Sequence, residues 1–144
     1  MRVLILLGLW GCAGTPAPET PAGWGATRPT QGGKYKVDLA ITPDPPPMGE
    51  LFRVDAVVSN KDGTPLDGGK VKLNALMPQH GHGMATEPQM DPGQCDENKV
   101  CKHPDGKYWA EGFKFHMGGE WTITVEVEGP LGPDSTSFVY EMAG

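Results

Sequence analysis

The sequence predicts an all-β sandwich, and three observations carry that prediction. Of 144 residues, 21 are Gly and 15 are Pro, so one residue in four breaks a regular helix. The longest stretches free of both, at 34–42, 50–62, 70–77, 94–103, 120–128 and 134–143, are of strand length and leave no room for a capped helix of ordinary span. Within most of them apolar residues alternate with polar ones at a period of two. A hydrophobic share of 38% separates this chain from a disordered Gly/Pro-rich one.

Met1-Arg2 and the apolar run from Val3 to Leu9 read as a short secretory signal. The run is too short to cross a bilayer, which takes about 20 residues. Leu9-Trp10-Gly11-Cys12 resembles a bacterial lipobox, with Trp10 standing where a small residue is usual. On that reading residues 1–11 are removed and Cys12 carries a diacylglyceryl group and an N-acyl chain such as palmitate, a two-signal anchor where one chain would bind marginally. Ordinary signal cleavage and a mis-assigned start are the competing readings. Ala13 follows Cys12 where no Asp stands, which points to the outer membrane rather than the inner one. The expected location is thus the cell envelope, anchored by lipid and facing the periplasm. Residues 12–33 then form a Pro/Gly-rich tether without hydrophobic periodicity, and 34–144 form the folded domain.

Within the domain the strands follow in order. Tyr35, Val37, Leu39 and Ile41 alternate in the first, and Phe52, Val54, Ala56 and Val58 in the second. Asn60-Lys61-Asp62-Gly63 supplies turn chemistry between the second and third. Val71, Leu73, Ala75 and Met77 mark the third strand. Tyr108 and Ala110 share one parity while Phe113 and Phe115 share the other, which predicts a bulge at Glu111-Gly112. Trp121, Ile123, Val125 and Val127 mark a later strand, and Thr136, Phe138, Tyr140 and Met142 the last. Six or seven strands with turn signals about every ten residues read as a single immunoglobulin-like β-sandwich.

Three cysteines occur, and lipidation of Cys12 leaves Cys95 and Cys101 as a pair. In an oxidising compartment that pair is most simply a disulfide pinning the Asp-Glu-Asn-Lys-Val loop. A competing reading takes Cys95, Cys101 and His103 as soft metal ligands, which requires reduced thiols. Otherwise His103, next to Pro104 in a loop, is expected to be solvated.

Met77-Pro78-Gln79-His80-Gly81-His82-Gly83-Met84 breaks the alternating pattern. His80, His82 and Met84 stand at i, i+2 and i+4, on one side of an extended backbone. Imidazole and thioether without carboxylate suit copper, as Cu(I) or Cu(II), and are a poor match for Mg or Ca. His116-Met117, beside Gly118-Gly119, is a second donor pair able to close the same site. Met77 and Met117 also share the parity of core residues, so each can serve as core or as ligand. For His80 and His82 the bland reading is a polar glycine-rich loop. Met90, in a turn-rich segment, is left out of the site.

The blocks Asp-Pro-Pro-Pro-x-Gly-Glu at 44–50, Asn-x-Asp-Gly-x-Pro at 60–65, Met-Pro-x-His-Gly-His-Gly-Met at 77–84, Asp-Gly-x-Tyr at 105–108 and Phe-x-Met-x-Gly-x-Trp at 115–121 together resemble the YtkA-like family. Their order and spacing carry the match, from about 35 to 142. The resemblance implies a small exported or membrane-anchored β-sandwich, related to FixH-type proteins and linked to copper handling. Its motif falls on His80, His82, Met84 and Met117, and the Cys95/Cys101 loop stands as an insertion.

The expected function is an envelope-anchored copper-binding protein that holds copper at a His/Met loop for delivery or sequestration. Its partners would be the membrane and a copper donor or acceptor such as an oxidase or efflux component. The alternative is a metal-free sandwich that docks on another envelope protein, through Trp24 or the acidic loop at 94–98. The net charge of −6 with no Lys/Arg cluster excludes nucleic acid as a partner. No nucleophile with its base, phosphate loop or His-Glu-x-x-His motif stands in the sequence, so no enzyme is expected.

Overall fold

The structure, a computed structural model, describes residues 26–144. The signal segment, Cys12, Trp24 and the tether up to residue 25 lie outside the described residues. In chain order the strands are β1 (Ala26–Pro29), β2 (Tyr35–Thr42), β3 (Phe52–Asn60), β4 (Lys70–Met77), β5 (His82–Gly83), β6 (Gln89–Met90), β7 (Gln94–Cys95), β8 (Cys101–Lys102), β9 (Lys107–Phe113), β10 (Gly119–Gly129) and β11 (Gly132–Met142). Seven of these span four residues or more, within the range the sequence predicts; the other four are two-residue pairings. One sheet has the order β1-β2-β3-β9-β6, the second β11-β10-β4-β5, and β7-β8 forms a separate ribbon.

The alternation in the sequence reappears as burial. Tyr35, Val37, Leu39 and Ile41 of β2 and Phe52, Val54, Ala56 and Val58 of β3 share one core with Leu73, Ala75 and Met77 of β4, Trp121, Ile123, Val125 and Val127 of β10, and Phe138 of β11. Each large side chain so enclosed contributes about 1.5–3 kcal/mol relative to exposure. The parity switch in β9 is a bulge: Phe52 pairs with Phe113 while Val54 pairs with Ala110, so Glu111 and Gly112 together oppose Arg53. The shift turns Phe113 inward beside Tyr108 and Ala110, all of them buried.

Among the described residues, strand pairing starts earlier than the apolar pattern indicates. Ala26–Pro29, assigned to the tether on composition, pairs with β2 from Ala26 opposite Leu39 to Pro29 opposite Lys36. The turn that joins it to β2 is held by a polar contact distant in sequence. The Asp134 carboxylate on β11 accepts hydrogen bonds from Thr30 Oγ1 at 2.6 Å, Gly32 N at 3.0 Å and Lys34 N at 3.3 Å. A period-two search cannot register such an anchor.

Candidate metal site

Three loops meet at one end of the sandwich. β4 and β10 are antiparallel with Leu76 opposite Thr122, so the loop leaving Met77 lies beside the loop entering Gly119. The β2–β3 loop joins them through Gly49 N, which donates to Phe115 O at 2.8 Å. The turn after β4 is tight: His80 N and Gly81 N both donate to Met77 O, at 3.1 and 3.0 Å. Gly81 has φ +66°, a left-handed conformation that glycine adopts without steric cost. The reversal places His82 opposite Met77 and Gly83 opposite Leu76.

Three imidazoles result in a row. The His80 and His82 ring centroids are 5.7 Å apart, and those of His82 and His116 are 5.4 Å apart. All three residues are exposed. Two imidazoles sharing one ion through nitrogens about 2.0–2.1 Å from it hold their centroids roughly 5–6 Å apart. Both spacings fall in that range. His82 Nδ1 lies 3.0 Å from Gly83 O. A carbonyl only accepts, so Nδ1 is the donor in this contact and Nε2 is the nitrogen left to face an ion, as in a ligating histidine.

Beneath the rings lies an aromatic floor. Trp121 is fully buried and stacks on Phe115 with centroids 4.5 Å apart. It meets both His82 and His116 edge-on, at 6.4 and 5.4 Å. Its Nε1 donates to Met117 O at 3.0 Å, tying the His116-Met117 loop to the core. Met84 and Met117 are half-buried and pack at the core's edge, and Met84 Sδ accepts a hydrogen bond from Lys114 N at 3.5 Å. Met77, by contrast, is fully buried, and a β-carbon at Gly119 would fall 3.0 Å from its Cε. It is a core residue.

The predicted donors therefore divide. His80, His82 and His116 come together at the rim, with Met84 and Met117 at the boundary between rim and core. Among the described residues no three side chains drawn from His, Cys, Asp and Glu stand ready as a metal cluster, so an ion held here would draw on thioether sulfur as well. Met90 is half-buried against the core on β6. His103 departs from expectation: it is 8% exposed rather than solvated, because its ring stacks on Tyr108 with centroids 4.0 Å apart. Cys95 and Cys101 are disulfide-bonded across the ribbon, as expected.

Two residues near the site were not singled out from sequence as parts of it. Trp121 reads there as a core position and as the last residue of the Phe-x-Met-x-Gly-x-Trp block, not as a support for the donors; its indole reaches back to the Met117 carbonyl. Met48, 40% exposed and adjacent to Gly49, belongs to the loop docked on Phe115. Its proline-rich surroundings carry no periodic signal.

Comparison with known proteins adds one assignment. The YtkA-like family model matches residues 30–126, about two thirds of the chain. No curated protein and no solved structure matches it.

Proposed function

The chain belongs to the YtkA-like family, and from that premise we propose that it is a lipid-anchored copper-binding protein of the cell envelope, which holds copper at the His/Met rim for delivery or sequestration. Family membership itself suggests a small envelope-associated β-domain. The observation that carries the copper reading is the pair His82–His116, from two different loops, with rings 5.4 Å apart over a buried tryptophan. His80, His82 and His116 offer imidazole nitrogen, and Met84 and Met117 offer thioether sulfur. That donor set, without carboxylate, favours Cu(I) and accommodates Cu(II).

An exposed rim suits exchange. A partner's ligands can approach the ion from solvent while Trp121 and Phe115 exclude water from below. Anchoring through Cys12 would keep the domain beside the membrane proteins that give or take copper.

The test is a Cu(I) competition titration of the full chain, disulfide intact, against a colorimetric chelator. One equivalent bound more tightly than about micromolar, and lost when His80 and His82 are both Ala, is the expected result. Weak binding, or binding indifferent to that double substitution, sinks the reading.

A further inference from the structure

The β7–β8 ribbon carries a second set of soft donors, away from the rim. Cys95 pairs with Cys101 and Gln94 with Lys102. Gly93 stands two residues before Cys95 and His103 two after Cys101, just beyond the ribbon's paired ends. The contact is close: a β-carbon at Gly93 would fall 2.5 Å from His103 Nε2, so glycine leaves the space the imidazole fills. His103 is 8% exposed, yet neither of its ring nitrogens has a hydrogen-bond partner. Leaving a buried polar atom unpaired is costly, and a native structure that does so calls for a reason. Cys101 and His103 also line a cleft of about 440 Å³, together with Met90, Asp91 and Tyr108.

We infer that this ribbon is a redox-gated site for a soft monovalent cation, Cu(I), held by Cys95 Sγ, Cys101 Sγ and His103 Nε2 once the disulfide is reduced. In the oxidised chain the two sulfurs are bonded to each other and the site is closed. The reductant is a dithiol of the thioredoxin class. Its first thiolate attacks the exposed Cys95 sulfur, the Cys95–Cys101 bond breaks, and its second thiol resolves the mixed disulfide. Two electrons pass to the chain and the reductant leaves as its own disulfide. Each cysteine thiol then releases one proton to solvent as the cation binds, giving two thiolates and one neutral imidazole. Those donors suit a soft d10 ion and disfavour hard ones.

The site is separable from the rim because only thiolates give an intense charge-transfer absorption with Cd(II). The full chain is titrated with Cd(II), first oxidised and then after phosphine reduction and removal of the reductant. No charge-transfer band in the oxidised chain, and a band saturating at one equivalent in the reduced chain, are expected. Cu(I) should bleach that band by displacement. His103→Ala should weaken cadmium binding at least tenfold. His103→Phe, which keeps a ring on Tyr108 and guards against a folding defect, should weaken it equally. His80→Ala with His82→Ala should leave the band intact, which separates this site from the copper rim. No saturating band after reduction, or equal affinity with His103→Phe, overturns the inference and makes the pair a structural disulfide alone.

Discussion

His82 and His116 belong to different loops, yet their rings stand 5.4 Å apart, with Trp121 edge-on to both. If the two hold one ion, their contributions are coupled. His82→Ala and His116→Ala should each weaken Cu(I) binding at least about tenfold, or ~1.4 kcal/mol. The double substitution should cost less than the sum, because the second loss falls on a site already opened. Chelator competition on all four proteins measures this. Strict additivity would place the two rings on separate ions or on none.

Trp121→Phe separates the floor from the ligands. Phenylalanine keeps most of the stack on Phe115 but removes the donor to Met117 O. The lost hydrogen bond should cost about 1 kcal/mol, with a further penalty for the smaller ring in the core. Copper affinity should also fall several-fold, as the His116-Met117 loop gains freedom. Thermal unfolding and Cu(I) competition on one sample check both halves. A drop in melting temperature with unchanged affinity would show that the indole supports only the core.

The strands were legible because each long one buries one face, so period two in the sequence becomes inside and outside in the sandwich. Even the bulge at Glu111-Gly112 was readable, since a parity switch has no other cheap explanation in a strand. What escaped reading was polar and long-range. The β1–β2 turn is held by Asp134 from the far end of the chain, and His103 is buried by stacking on Tyr108 rather than by any pattern of its own. At the candidate site the spacing of His80, His82 and Met84 marked one loop. Only the antiparallel pairing of β4 with β10 brings His116 to it.

Asp134 makes the early part of the fold acid-sensitive. The Thr30 hydroxyl, followed by the backbone amides of Gly32, Ser135 and Lys34, holds its carboxyl at about 2 against an ordinary 3.8. A depressed carboxylate pKa stabilises the fold fully above the unfolded value, and the gain disappears as pH falls from about 4 toward 2. Comparing urea unfolding of the native chain and Asp134→Asn between about pH 6 and pH 2 isolates the effect. The native chain should hold its advantage at the upper end and lose it at the lower. The β1–β2 turn should loosen in the same window, seen as faster amide exchange at Gly32 and Lys34. An advantage that does not change with pH would mean the carboxylate matters for shape and not for charge.

The methionines allow the thioether to be tested apart from packing. Met→Leu keeps volume and hydrophobicity nearly constant, so each swap should cost under about 1.5 kcal/mol. Met77 is fully buried beside Gly119, whereas Met84 and Met117 are half-buried at the rim's edge. Met77→Leu should therefore leave copper binding as it is. Met84→Leu and Met117→Leu should weaken Cu(I) binding several-fold and Cu(II) binding less, because thioether sulfur prefers the softer ion. Met84→Leu also removes the sulfur that accepts from Lys114 N, so its small loss of stability serves as the internal control for a folded, altered site. Cu(I) competition paired with thermal unfolding on the three variants reads the pattern. If all three bind copper like the parent, the rim is a histidine site and its preference for Cu(I) falls away.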